Sequence, residues 1–426
     1  MANHPEPNTP FLMRPFPALR PTAQSAEAVA APPYDVLTSA EARRLAADRP
    51  WSFLHVSKAE IDLPEDIDVH APEVYAKAAE NLQAMLRAGV LIREAAPCYY
   101  IYRVSMGDHV QTGVVGGGSV AAYDQNRIRR HEFTRPDKED DRVRQIDAVN
   151  AQTGPVFLVH RPDAAIGAVI ARQTARPPEL DVPWDRGGDN DVRHQLWVVD
   201  QPDDIAALSA AFNAMDALYI ADGHHRSAAA SRVAAARRAA HPEAGPEAPW
   251  NAFLVVSFPE DEVQILDYNR VVRDLAGRDE QAFLAEVGRA FDIRPCDGPA
   301  KPDQAHHFGM YLGGQWYRLT PRDALPPASD PVARLDISLL ADRLLEPVLG
   351  ITDPRTDTRI DFIGGIRGMA ELERRVDSGE MAVAFALFPT RMADLLAVAD
   401  AGEVMPPKST WFEPKLADGM ASLPLD

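Results

Sequence analysis

The segment Asp222–Arg226 combines a carboxylate, a glycine and three consecutive side chains that donate hydrogen bonds, in the order Asp-Gly-His-His-Arg. It follows the apolar run Leu218–Ala221 and precedes the alanine-rich stretch Ser227–Ala240, a pattern that predicts a strand, a tight turn and a helix. Cations in the first turn of a helix cost about 0.3–1 kcal/mol each, whereas the free N–H groups there attract anions. We therefore predict a phosphate site. Its predicted ligands are Asp222, Gly223, His224, His225 and Arg226.

A structural explanation of the same residues stays open. Asp222 would be the N-cap of the helix, Gly223 a turn residue, and the two histidines ordinary polar neighbours. Adjacent histidines point in different directions along a helix or strand, so they do not form a chelating pair for zinc.

A second candidate group is the segment Arg129–Thr134, in which His131 and Glu132 follow two arginines. Glu132 is the only carboxylate between Asp124 and Asp137. Neighbouring cations tune the pKa of a carboxylate, and Glu132 could then accept a proton from a hydroxyl group. The alternative is a surface ion pair.

Two further basic residues are candidate substrate contacts. Arg367 lies in Phe362–Gly368, which reads as a strand, a glycine turn and a helix start. Lys408 lies in the proline-rich segment Met405–Lys415, which is too rich in proline to be helical. That segment either reaches into a polar site or anchors the end of the chain through Trp411 and Phe412.

The composition limits the classes of function. The chain has 426 residues with 44 basic and 63 acidic side chains, a formal charge of −19, which argues against a broad face for nucleic acid or anionic membranes. We expect a small-molecule substrate, a cytoplasmic location and no membrane span, and the oligomeric state stays open. Cys98 and Cys296 have no partners at ligand spacing, so no disulfide framework or zinc knuckle is expected.

Helix and strand patterns alternate along the chain, which predicts a mixed α/β (α+β) fold of two or three units. The predicted elements include a strand over 113–123 and a helix over 137–152; the glycines 116–118 mark a flexible or closely packed strand segment. We predict an N-terminal extension over 1–30, a phosphate-binding region over 31–245, and a C-terminal α/β region over 246–426.

Five motifs occur in an order that resembles the bacterial and archaeal family of domain of unknown function 1015. They are Ala31–Val36, His131–Thr134, Ile220–Arg226, Ile360–Phe362 and Met405–Thr410. The resemblance runs from about residue 14 to 422, and Ser227 stands where the family pattern has tyrosine.

A His-Glu segment followed by a helix and then strand-Asp-Gly-His-His-Arg-helix is also similar, more distantly, to the ParB/sulfiredoxin-like fold and its free serine kinases. This resemblance implies a nucleotide-binding core with large insertions, one of them around Ala151–Leu196. It implies catalytic roles for Glu132 and His131, a nucleotide phosphate on Asp222–Arg226, ATP or ADP as cofactor, and magnesium held by Asp222 through water.

The predicted function is a nucleotide-dependent phosphotransferase acting on a small hydroxylated metabolite, with serine or phosphoserine as the first candidate. Two alternatives use the same site. One is a nucleotide-binding regulatory or interaction protein, and the other is a phosphate-ester hydrolase.

Overall fold

The computed structural model describes residues 10–184 and 191–426. The chain is a mixed α/β protein, as predicted, and it divides into two compact units. The first unit comprises residues up to Val263 together with Pro414–Asp426, and the second comprises Gln264–Glu413. No helix among the described residues is both long and apolar enough to cross a membrane.

The secondary-structure elements are numbered in chain order. The strands are β1 (Met13–Arg14), β2 (Leu19–Pro21), β3 (Leu91–Arg93), β4 (Tyr99–Met106), β5 (His109–Ser119), β6 (Ile128–Arg129), β7 (Ala151–Gln152), β8 (Val156–His160), β9 (Leu180–Trp184), β10 (Val192–Val199), β11 (Leu218–Asp222), β12 (Ala252–Pro259), β13 (Gln264–Leu266), β14 (Tyr268–Val272), β15 (Phe291–Cys296), β16 (Phe308–Leu312), β17 (Gln315–Pro321), β18 (Ile360–Gly364), β19 (Val383–Leu387), β20 (Trp411–Glu413) and β21 (Leu423–Pro424). The helices are α1 (Ala26–Val29), α2 (Ser39–Ala46), α3 (Leu54–Ser57), α4 (Pro72–Arg87), α5 (Val120–Asp124), α6 (Pro136–Val149), α7 (Ala164–Thr174), α8 (Pro202–Ala214), α9 (His224–Ala240), α10 (Glu280–Ala290), α11 (Asp336–Leu340), which continues into a π-helical segment (Ala341–Leu345), α12 (Gly368–Asp377) and α13 (Met392–Asp400).

Among the described residues of the first unit, nine strands form one mixed sheet. Its order is β6-β11-β8-β12-β5-β4-β10-β9, and β1 pairs with β5 at one end of that strand. Most pairs are antiparallel, but β6 runs parallel to β11 and β8 runs parallel to β12. Apolar side chains of α7, α8 and α9 pack with the sheet in one core, and α2, α3 and α4 form a second. This sheet fixes the direction of β11, the strand that leads into α9.

The predicted glycine strand is closely packed rather than flexible. A Cβ atom on Gly116 would lie 2.8 Å from the Cε of Met13, and one on Gly118 would lie 2.7 Å from a methyl group of Val255. The strand begins and ends four residues before the expected 113–123 span, and it ends at Ser119 because the Ser119 hydroxyl accepts the N–H of Ala122 at 3.1 Å and caps α5. The helix predicted over 137–152 ends at Val149, because Asn150 takes a left-handed conformation with a φ of 51°.

The compact units divide the chain later than the predicted boundary at 245/246. The reason is β12, which pairs with β5 and β8 in the middle of the first sheet. Residues 10–30 of the predicted extension also belong to the first unit, where Leu12 and Met13 are fully buried. Residues 1–9 of that prediction lie outside the described residues. The insertion expected around Ala151–Leu196 contains β8, which lies between β11 and β12.

The second unit, described throughout, contains an antiparallel six-stranded sheet in the order β15-β17-β16-β19-β14-β18. Side chains of α10, α11 and the π-helical segment pack in one core, and α12 packs in another. A short ribbon pairs β13 with β20, so backbone hydrogen bonds tie Trp411–Glu413 of the Met405–Lys415 segment into this unit, whereas Pro414 and Lys415 belong to the first unit. Phe412 is buried there, which supports the interpretation that this segment anchors the chain.

Candidate functional site

The turn between β11 and α9 forms the predicted helix start. Gly223 is the N-cap with a φ of 101°, a conformation that glycine adopts at low cost, and no side chain caps the helix. The interpretation of Asp222 as the N-cap is therefore wrong, because Asp222 is still the last residue of β11. His224, His225 and Arg226 are the first three helical residues, as the sequence predicts. The N–H groups at this end point away from the helix and suit an anion.

Glu132 reaches this helix start. Its Oε2 atom lies 3.4 Å from Nδ1 of His224, although the two motifs are far apart in the sequence. His224 is buried, whereas the side chain of Glu132 is 49% exposed. The backbone N–H of His131 donates to Nε2 of His224 at 3.5 Å, so the ring proton of neutral His224 lies on Nδ1, facing Glu132. His224 thus orients the one carboxylate for which a catalytic role is predicted.

His225 holds the other end of the same loop. Its Nε2 accepts the backbone N–H of Arg135 at 3.1 Å, directly before α6 begins at Pro136. Burial lowers the pKa of His225, and the charge of Arg135 acts in the same direction, so the ring stays a neutral acceptor. The two adjacent histidines therefore hold the two ends of the loop 131–135, which we call the glutamate loop.

His131 is buried behind this loop. Its ring stands edge-on to that of His224, with 4.6 Å between the ring centroids. Burial lowers its pKa to about 4, outweighing a hydrogen bond to the backbone of Ile220 and the charge of Asp222, which raise it. Its Nδ1 atom has no hydrogen-bond partner among the described residues. At neutral pH His131 is an uncharged ring with one free polar atom beside the helix start.

Arg226 does not extend freely from the helix. Its guanidinium lies 3.6 Å from Asp35 and 3.8 Å from Asp222, and it donates to the carbonyl of Pro155. Burial disfavours the cation, but the charges of Asp35 and Asp222 outweigh it and hold the pKa of Arg226 above its ordinary value. This side chain closes a carboxylate cluster behind the turn and is not positioned as a free phosphate ligand.

Two residues of the C-terminal segment complete that cluster. Lys415 Nζ lies 3.6 Å from Asp222, and with Arg226 it lowers the pKa of Asp222 against the opposing effect of burial. Asp418 is buried, and its Oδ2 accepts the N–H of Tyr34 at 3.3 Å. Burial raises the pKa of Asp418 to about 7, although Arg226 opposes this shift.

Sequence reasoning from residue types missed Asp35, Lys415 and Asp418. Asp35 lies in the Ala31–Val36 motif, which was noted only for family resemblance, whereas Lys415 ends the Met405–Lys415 segment, for which one of the two open interpretations was that it reaches into a polar site. Arg367 and Lys408, the predicted substrate contacts, belong to the second unit. Their role as substrate contacts stays a prediction.

The carboxylates near the turn do not form a ready magnesium site. Among residues 10–184 and 191–426, no group of three or more His, Cys, Asp or Glu side chains is arranged to hold a metal ion. Asp222, the predicted magnesium residue, faces the cations Arg226 and Lys415. These two charges would repel a divalent cation at that oxygen.

Comparisons with solved structures give distant similarities. A free serine kinase in complex with AMP aligns at 11% identity over 70% of this chain and 86% of its own length, with a TM-score of 0.35. A conserved hypothetical protein from Pyrococcus furiosus aligns at 12% identity over 72% and 93%, with a TM-score of 0.33. SbnI from Staphylococcus aureus, with a C-terminal truncation, aligns at 11% identity over 71% and 85%, with a TM-score of 0.36. At these TM-scores the similarities do not bear on ligand or reaction.

No curated protein matches this sequence. A family model does match, over residues 13–338, which is most of the chain. The chain therefore belongs to the family described as "Protein of unknown function (DUF1015)".

Proposed function

We propose that the chain is a phosphotransferase that binds a nucleotide phosphate at the start of α9 and moves a phosphoryl group to a small hydroxylated metabolite. The observation that supports this most directly is the approach of Glu132 to His224, at 3.4 Å. It brings a half-exposed carboxylate to an uncapped helix start, so that a candidate base and an anion site lie side by side.

In the forward direction, Glu132 takes the proton of the acceptor hydroxyl. The hydroxyl oxygen then forms a bond to the terminal phosphorus of the nucleotide, and the bond from that phosphorus to the remaining nucleotide breaks. The first N–H groups of α9 stabilise charge on the transferred group, and the free Nδ1 of His131 offers a further polar contact. The histidines 224 and 225 are positioning residues, because each accepts a backbone N–H of the glutamate loop. Arg226 holds the turn in place through its ion pairs with Asp35 and Asp222.

Phe133 supports a ligand at this position. It is 73% exposed and directly follows Glu132 in the glutamate loop. A large apolar side chain with this exposure presents a surface that a bound organic molecule can cover. ATP, ADP and serine are the first ligands to test, because the motif resemblance implies them. We derive no step through magnesium, since Asp222 already faces two cations.

The direct test is phosphoryl transfer by the purified chain. ATP or ADP is incubated with serine, other hydroxy amino acids and phosphoserine, with and without magnesium chloride, and phosphorus NMR follows the products. Transfer to one acceptor is the expected result. Phosphate release that needs no acceptor would identify a hydrolase instead, and nucleotide binding without turnover would favour a regulatory protein. Neither binding nor turnover with any of these compounds would overturn the proposal.

Glu132→Gln tests the base. We expect it to lower the transfer rate by about 10²–10⁴-fold, the usual contribution of general acid–base catalysis, while nucleotide affinity stays within about twofold. The matched control is Glu65→Gln, an exposed glutamate of the same unit, which should change neither quantity. Full activity in Glu132→Gln would remove this carboxylate from the mechanism.

A further inference from the structure

A second basic site lies in the second unit, around Arg270. Arg270 is on β14, inside the six-stranded sheet, and is 2% exposed. Its guanidinium donates to two backbone carbonyls, those of Tyr268 and, at 2.9 Å, Lys408. Part of its hydrogen-bonding capacity is thus used to hold the Met405–Lys415 segment.

The buried cation of Arg270 has no acid beside it in the part of the chain that the structure describes. Among the described residues, no carboxylate forms an ion pair or hydrogen bond with Arg270. Burial lowers the pKa of Arg270 to about 9, so the side chain is still charged at neutral pH. Buried charges in proteins are normally paired, because an uncompensated one carries a large desolvation cost. In a chain with a formal charge of −19, this unpaired cation is not explained by a shortage of acids.

Lys408 brings a second cation to the same place. Its Nζ lies 5.8 Å from the centroid of the Tyr268 ring, and the Arg270 guanidinium lies 6.0 Å from the same centroid. The backbone of Lys408 has a φ of 58°, a left-handed conformation that costs a non-glycine residue of order 1 kcal/mol or more. Such strained positions cluster at ligand sites. This exposed lysine therefore combines an unfavourable backbone conformation with a position over the Tyr268 ring.

Aromatic side chains frame the two cations. The guanidinium of Arg270 lies 5.3 Å from the Phe362 ring centroid, and the Trp411 ring stands edge-on to Tyr268 at 5.2 Å. Trp411 needs the glycine at 364, because a Cβ there would lie 2.7 Å from the indole. The Ile360–Phe362 and Met405–Thr410 motifs, which the proposed phosphotransfer does not use, therefore meet at Arg270.

We propose that Arg270 and Lys408 bind an oxyanion, the phosphate or carboxylate group of a small ligand, with Tyr268, Phe362 and Trp411 as its aromatic frame. An incoming oxyanion supplies the negative charge that Arg270 lacks, and a guanidinium can donate parallel hydrogen bonds to two oxygens of either group. This site is independent of the one at α9, and each can fail without the other.

The test is titration of the full chain with inorganic phosphate and, separately, acetate at constant ionic strength. The readout is Trp411 emission, obtained as the difference between the chain and Trp411→Phe. We expect a saturable change with the preferred anion. Arg270→Met and Lys408→Met should each weaken binding by about tenfold or more, the loss expected when one charged hydrogen bond is removed.

The controls are Arg374→Met and Lys301→Met, an exposed arginine paired with Glu371 and an exposed lysine of the same unit. Both should bind like the unchanged chain. Phosphate binding at α9 would survive both Met substitutions. A flat titration with both anions, or an equal loss in the controls, would overturn the proposal. Circular dichroism of each variant establishes that it is folded, and Lys408→Met alters an exposed side chain even if Arg270→Met fails to fold.

Discussion

Two buried arginines, Arg226 in the first unit and Arg270 in the second, have opposite surroundings. Arg226 lies within ion-pair distance of Asp35 and Asp222 and near the buried Asp418. Among the described residues, the guanidinium of Arg270 donates to backbone carbonyls and lies beside aromatic rings, with no carboxylate paired to it. Neighbouring acids hold the pKa of the first above its ordinary value, and burial without acids holds the second below it.

The difference separates a structural cation from a candidate ligand-binding one. The charge of Arg226 is already neutralised inside the protein by neighbouring acids, so the anion affinity that we propose for the first site would come from the start of α9 and the neutral rings beside it. The charge of Arg270 is not neutralised by any acid among the described residues. The Asp-Gly-His-His-Arg motif, taken alone, suggests the reverse assignment, in which Arg226 contacts phosphate.

The largest expected change in stability comes from replacing Arg226 by methionine, and replacing Arg270 by methionine in a separate variant gives the comparison. Arg226→Met leaves Asp35, Asp222 and Asp418 facing one another, and we expect it to lower the free energy of unfolding by about 3 kcal/mol, the low end for a broken buried pair because Asp35 is partly exposed. Arg270→Met should cost less, because removing an unpaired buried charge offsets the two lost bonds to carbonyls. Urea denaturation, with hydrogen exchange to resolve each unit, measures both. A larger loss of stability in Arg270→Met than in Arg226→Met would contradict the assignment of Arg226 as the structural cation and of Arg270 as the candidate ligand-binding one.

An intermediate effect is expected from Asp418→Asn, which removes a titrating group from the Arg226 cluster. Because the folded pKa is raised to about 7, the folded chain binds a proton that the unfolded chain releases near pH 4. This contribution to stability is present at low pH and is lost as the pH rises to about 7, by roughly 1.4 kcal/mol per pH unit. Asn does not titrate.

Urea denaturation of both chains at pH 5, 6 and 7 tests this, because all other groups titrate alike in the two proteins. The stability of Asp418→Asn relative to the unchanged chain should rise across the series. A constant difference would mean that Asp418 is ionised throughout, and that the cluster around Arg226 holds three negative charges at every pH tested.

The local part of the site was predictable from the sequence. An apolar run, a glycine and an alanine-rich stretch give the strand, turn and helix around Gly223, because these signals lie within a few turns of chain. A family resemblance implied a catalytic role for Glu132, but the sequence left open whether Glu132 reaches the turn. α8 was not predicted from the pattern, because its alanines give little contrast between a buried and an exposed face.

Long-range contacts were not predictable in the same way. Arg226 looked like a phosphate ligand because it lies at a helix start, yet besides Asp222 of its own motif it faces Asp35 and Asp418, which come from distant segments. The boundary at 245/246 followed a proline-rich stretch, whereas β12 beyond it completes the first sheet. Which residues a side chain contacts, and which sheet a strand joins, depend on contacts between distant segments of the chain. A local sequence pattern does not encode these contacts.

The smallest expected effect tests the role of His225 in the first unit. If His225 holds the glutamate loop, His225→Ala removes one hydrogen bond to the N–H of Arg135, worth about 0.5–1.5 kcal/mol, and exchange of that amide should rise about 2- to 12-fold in the free chain. His225→Gln offers a carbonyl acceptor and should restore part of the protection. If His225 instead contacts phosphate, both variants would weaken nucleotide binding and leave the amide unchanged without ligand. Hydrogen exchange in the absence of nucleotide therefore decides between a positioning residue and a ligand, whatever reaction the site performs.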